Sequence, residues 1–241
     1  RDLHYPLRRQ RQMCIRDRTT ATQINTYHRY INLPFTIAPL PNFSQQGNKV
    51  LHYYINDYPF YPMEEWFNDL GLTLFIKEVF YTPPGGKIPI HTDHASYTNH
   101  AKINMTWGPD KGVIQWWKSD KVVKKYLQGI GEATKETHHN LWAEEKDCEL
   151  LYEANTNRPS LVNVGVLHGT NNPTSQGRWT LCFVPVNQAG QFLHWNSALT
   201  IFRDYLDDRK SYVLGMMKEF DWNVIEQRFK RTDKIAQIMR A

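Results

Sequence analysis

Two histidines, one aspartate and one arginine stand at spacings that could do chemistry. They are His91 and Asp93, separated by Thr92, then His168, then Arg178 ten residues further on. Two imidazoles and one carboxylate make a facial ligand set for Fe(II) and leave coordination positions open. A strand alternates its side chains, so an H-x-D triplet on one strand offers both ligands from a single face. The triplet alone says little, because a short motif arises easily by chance in a chain with ten histidines. A buried histidine bonded to a nearby carboxylate is the plain alternative.

His168 closes the apolar run Leu161–Leu167 and precedes Gly169, which puts an imidazole at the end of an expected strand. A solvent-facing histidine would look the same. Arg178 opens the apolar run that continues to Val184. A desolvated guanidinium needs an anionic partner, and its planar fork suits a carboxylate. Thr180 is two residues on, hence on the same face, and could add a hydroxyl to that carboxylate. The competing reading is a surface arginine in a hairpin loop.

Taken in order, H-x-D, a distal His, and R-x-T ten residues later resemble the Fe(II)/2-oxoglutarate-dependent oxygenases across much of residues 72–186. Parts of the chain are similar to the prolyl- and aspartyl/asparaginyl-hydroxylase branches and to small phage or bacterial oxygenases. The resemblance implies a double-stranded β-helix, the jelly-roll or cupin-like fold, and Fe(II) on His91, Asp93 and His168. It implies 2-oxoglutarate chelated through its keto-acid end and anchored by Arg178 with Thr180, and O₂ as the other cosubstrate. It implies decarboxylation to succinate and CO₂ coupled to hydroxylation of a small-molecule or peptidyl substrate. Asn104 or Lys102, on the strand beside the H-x-D strand, would touch the keto-acid end. Two alternatives stay open: a cupin-type metalloenzyme with no use for 2-oxoglutarate, and a catalytically silent jelly-roll binding module.

Such a site needs strands to hold it, and the chain supplies many short ones. Pro62 to Gly71, with Pro and acids early and Gly at the end, reads as a short helix. Leu72–Thr82 is a strand by composition, and Pro83, Pro84, Gly85 and Gly86 force a turn. Ile88–Asp93, Ala101–Trp107 and Val113–Trp117 follow as strands, the last two expected as a hairpin around Gly108–Gly112. Leu161–Leu167 and Arg178–Val186 are expected as a second pair across Gly169–Gly177. Residues 118–158 are polar, with a helix possible at Lys121–Leu127 and a strand at Cys148–Glu153. Beyond Ser197 the apolar residues take helical spacing: Leu199, Phe202, Leu206, then Val213, Met217, Phe220, Val224 and Ile225. The pattern is mainly β with flanking α, a sandwich or barrel with C-terminal helices over 197–241. Trp107, Trp116 and Trp117 read as core, His94 and His100 as loop polar groups, and His138 and His139 as solvated.

Charge excludes one class of partner. Residues 1–18 hold six arginines and two aspartates, +4 of the formal +5, so the remaining 223 residues carry only +1. Within that stretch RQRQMCIRDR resembles translated sequencing-adapter DNA, so a non-native tail is expected, followed by a single domain over 19–241. With the basicity confined there, no nucleic-acid partner is expected. No apolar run reaches the roughly 18 residues of a membrane span. Cys148 and Cys182, the cysteines outside the tail, are too few for a disulfide framework. A cytoplasmic, reduced protein is expected, with the C-terminal helices available to form a homodimer.

Overall fold

The computed structural model describes residues 27–37, 47–94, 100–126 and 139–207. Two six-stranded antiparallel sheets dominate them. The first sheet has the order β1 (His28–Tyr30), β10 (Ser160–Asn163), β5 (Ala101–Trp107), β12 (Arg178–Asn187), β3 (Leu72–Thr82), β2 (Leu51–Tyr54). The second runs β7 (Val123–Tyr126), β8 (His139–Trp142), β4 (Lys87–His91), β11 (His168–Asn171), β6 (Val113–Lys118), β9 (Glu149–Ala154). From β3 to β6 and again from β9 to β12, each successive strand lies in the sheet opposite its predecessor. That winding between two facing sheets is a double-stranded β-helix, the fold that the resemblance implies. Among the described residues no helix is long and apolar enough to cross a membrane.

This winding corrects both expected hairpins. β5 and β6 do not pair; the Gly108–Gly112 turn carries the chain from one sheet to the other. The apolar run from Leu161 is β10 only as far as Asn163, and it pairs with β5 and β1 rather than with β12. The expected loop 169–177 contains most of a separate strand, β11. Residues 123–126 form β7, an edge strand and not a helix, consistent with adjacent β-branched Val122 and Val123. The strand expected at Cys148–Glu153 is present as β9, shifted by one residue. The expected tail 1–18, His138, the basic residues 228–234 and the helical pattern beyond Leu206 lie outside the described residues. So does any dimer surface built on that pattern.

The main core lies on the outer face of the first sheet. Val79, Tyr81, Ile103, Met105, Leu181 and Phe183 project there. α1 (Tyr61–Asp69) covers them through Met63, Trp66 and Phe67, which share one face at helical spacing. α2 (Trp195–Ile201) adds Trp195 and Ala198, and the N-terminal segment adds Ile31, Leu33 and Phe35. Buried Lys77 ties α1 to β3, donating to Glu64 Oε1 at 2.8 Å and to the Tyr58 carbonyl at 2.6 Å. Strand alternation therefore sends the intervening residues, many of them polar, into the space between the sheets.

His28 on β1 is buried there, bonded to Ser160 Oγ at 3.1 Å. Burial, reinforced by Arg29 and Arg158, lowers its pKa from 6.5 to about 4. Between those two values the unfolded chain binds a proton that the folded chain refuses, so stability is lost as pH falls through the window. The loss reaches on the order of 3 kcal/mol at the acid end. Urea unfolding at pH 7, 5.5 and 4 measures this slope, and in His28→Gln this part of it should disappear.

Candidate metal centre

β4 ends at His91, so Asp93 sits in a bend just beyond the strand rather than on it. The bend is nevertheless fixed. Thr92 turns away, exchanging two bonds with Leu141: its N–H donates to the carbonyl at 2.8 Å, and its hydroxyl accepts from the amide at 3.1 Å. The Asp93 amide donates to the Val164 carbonyl at 3.0 Å. His168 begins β11 instead of closing the preceding run, and it pairs directly with His91 across the sheet. The ladder shifts register between His168 and Thr170 at Gly169. There a Cβ would come within 2.8 Å of the Ile88 carbonyl, so only glycine lets β11 approach β4 this closely.

Three ligand atoms converge as a result. One donor atom from each of His91, Asp93 and His168 lies within 4.8 Å of the others. The imidazole centroids are 4.8 Å apart. His91 Nδ1 lies 2.7 Å from the Pro89 carbonyl, and His168 Nδ1 lies 2.9 Å from the Val166 carbonyl. A carbonyl only accepts, so each Nδ1 carries the ring proton, and in a neutral ring Nε2 is left as a bare lone pair. Burial pushes the His168 pKa down, favouring that neutral ring. Both Nε2 atoms face the same Asp93 Oδ1, at 3.3 and 3.4 Å. Three electron-pair donors pointed at one another repel unless a cation sits among them, and the set of two nitrogens and one oxygen suits a borderline divalent metal.

Lys102 lies behind the triad. Its ammonium is 2.5 Å from Asp93 Oδ2 and 3.2 Å from Glu78 Oε2. Burial opposes its charge, but Asp93 and Glu78 override burial and raise its pKa. Burial would likewise raise the Asp93 carboxyl; Lys102 and the two imidazoles outweigh this and hold it well below the usual carboxylate range. Lys102 is thus committed to two carboxylates, whereas Asn104, two residues along β5, has a buried Oδ1 without a partner among the described residues.

Arg178 heads β12, 2% exposed, and no carboxylate pairs with it among the described residues. Its Nε is buried without a hydrogen-bond partner among the described residues, and burial pulls its pKa down to about 10. The side chain crosses toward the second sheet over Gly112, where a Cβ would lie 2.2 Å from Cδ and 2.5 Å from Nε. Gly112 precedes β6, and Trp116 on that strand is the cross-strand partner of His168. Four residues separate them, about 13 Å along a strand. Thr180 shares the face of Arg178, but its hydroxyl is 2.9 Å from Thr106 Oγ1, which lies 2.7 Å from Thr156.

Three contributors escaped the sequence reading. Gly112 was visible only as part of a turn, although it is the floor under Arg178. Glu78 carried a signal, a charge inside a buried strand. Trp142 stacks on His91 at 5.5 Å and had none. Of the three tryptophans read as core, Trp116 is fully buried and Trp107 packs on the outer core. Trp117 instead lines a groove of about 660 Å³ with Ile88, Val123 and Trp142, which includes none of the three candidate ligands. His100 is buried and bridges to His194, and His139 is half-buried in β8, so neither is an open loop or fully solvated group.

No family model and no curated protein sequence matches this chain. Among solved structures, EvdO2 from Micromonospora carbonacea var. aurantiaca, complexed with 2-oxoglutarate, is 13% identical with a TM-score of 0.32. That match covers 58% of this chain and 69% of that one. EvdMO1 is 15% identical over 48% of this chain and 27% of its own length, with a TM-score of 0.31. E. coli ycfD is 11% identical over 91% of this chain and 60% of its own, with a TM-score of 0.34. Likeness at this level carries no chemical inference, and the function rests on the side chains themselves.

Proposed function

We propose that the protein is an Fe(II)- and 2-oxoglutarate-dependent oxygenase, a hydroxylase of a small-molecule or peptidyl substrate. The observation that carries this reading is the aim of two imidazole Nε2 atoms at one Asp93 oxygen. A second favours 2-oxoglutarate as cosubstrate: Arg178, buried without a carboxylate partner among the described residues, has its Nε unsatisfied. An anion placed there would turn an unfavourable buried charge into a charge-assisted pair.

His91, Asp93 and His168 would hold the metal. Bound there, Fe(II) supplies O₂ activation coupled to decarboxylation of 2-oxoglutarate and oxidation of the substrate. The Pro89 and Val166 carbonyls fix which nitrogen each histidine presents. Arg178 grips the far carboxylate, with Thr180 orienting on the same face. Asn104 offers an acceptor-capable amide on the inner face of β5. Trp116, Val162 and Val164 keep the space between the sheets dry.

The test is anaerobic addition of Fe(II) and then 2-oxoglutarate, watching the visible spectrum. A new absorption band that saturates with 2-oxoglutarate is the expected result. Fe(II) uptake with no response to 2-oxoglutarate would transfer the assignment to a cupin metalloenzyme of another kind. No Fe(II) uptake would leave a binding module.

A further inference from the structure

Resting on the metal reading above, we propose that Lys102 is a positioning residue that restricts Asp93 to one ligand oxygen and weakens the centre's hold on a bare cation. The geometry divides the Asp93 carboxylate in two. Oδ1 faces both imidazoles, at 3.3 and 3.4 Å, while Oδ2 is taken by the Lys102 ammonium at 2.5 Å. Glu78 grips the same ammonium at 3.2 Å. Lys102 is therefore not free to swing away, and both its partners are buried or nearly so.

Two consequences follow. A carboxylate with one oxygen engaged by an ammonium donates through the other alone, so Asp93 occupies a single coordination position and the remaining three stay open for two-point chelation and a third ligand. In addition, a fixed positive charge a few ångströms from the metal position opposes cation binding. The Asp93 charge is largely offset, and Glu78, which compensates Lys102, is not one of the three candidate ligands. A cation would then be retained well only when a dianion joins it. Such a centre favours loading of metal and anionic cosubstrate together.

Co(II) titration under argon tests this without turnover, reading affinity and the visible spectrum of the bound ion. Lys102→Met should bind Co(II) about tenfold or more tighter than wild type, because a nearby like charge has gone. Its spectrum should change as Asp93 swings to two-oxygen ligation and takes one of the three remaining positions. Lys102→Arg, which keeps charge and donor, should stay near wild type. The double variant Lys102→Met/Glu78→Gln removes both buried charges and keeps the test alive if the single variant misfolds; its shift should be smaller, in the same direction. A purely structural ion pair predicts the opposite, a lower melting temperature with weaker Co(II) binding. Equal or weaker Co(II) binding by either folded Met variant overturns the proposal. Failure of wild type to take up Co(II) overturns the metal reading itself, and this proposal with it.

Discussion

Asp93→Ala should lower divalent-metal affinity by at least about a hundredfold, judged against the 10–100-fold cost of losing a residue that only orients a ligand. Two effects combine. The anionic donor disappears, and Lys102, until then 2.5 Å from Asp93, keeps its charge beside the empty position with only Glu78 to offset it. Asp93→Asn keeps the shape and one oxygen but loses the charge, so it should fall between. Asp120→Ala, on the exposed surface, should match wild type. Isothermal titration with Fe(II) or Co(II) decides it; equal affinity for Asp93→Ala and Asp120→Ala would end the assignment of the centre.

The second large effect concerns Arg178. Truncating one partner of a desolvated charge pair costs about 2–5 kcal/mol, so Arg178→Ala should weaken 2-oxoglutarate binding at least thirtyfold or so. Metal affinity should barely move, since Arg178 is not among the three donors. Arg178→Lys should restore part of the loss, keeping the charge without the fork. Gly112→Ala provides an independent check that leaves the charge in place. Its methyl would enter the space of Arg178 Cδ and Nε and push the guanidinium aside. The expected result is weaker 2-oxoglutarate binding with metal affinity preserved. Wild-type 2-oxoglutarate affinity in both Arg178→Ala and Gly112→Ala would move the anchor elsewhere.

That His91, Asp93 and His168 could converge was legible, because a candidate metal site restricts residue identity strongly. The surrounding pairing was not. Pro83–Gly86 and Gly108–Gly112 announce that the chain reverses, but a turn signal is local and does not say which sheet receives the next strand. In a double-stranded β-helix it is usually the other one, which is why two plausible hairpins proved to be crossings. His168 misled for a related reason: the apolar run before it suggested one continuous strand, whereas only Ser160–Asn163 is paired as β10 and the chain re-enters a ladder at His168. The pairing of Lys102 with Glu78 was hidden by distance. Twenty-four residues separate them, and only the adjacency of β5, β12 and β3 brings their side chains together.

That His91 and His168 face each other across one rung of a ladder makes the centre a gauge of folding accuracy. Slipping β11 by a single residue against β4 would turn its side chains to the other face and send an imidazole out of the interior. Such a chain could keep nearly all its backbone hydrogen bonds and a native-looking far-ultraviolet spectrum, yet be blind to metal. On the proposed metal reading, the fraction of freshly refolded protein that takes up a divalent ion would count correctly threaded molecules, something that overall secondary-structure content would miss.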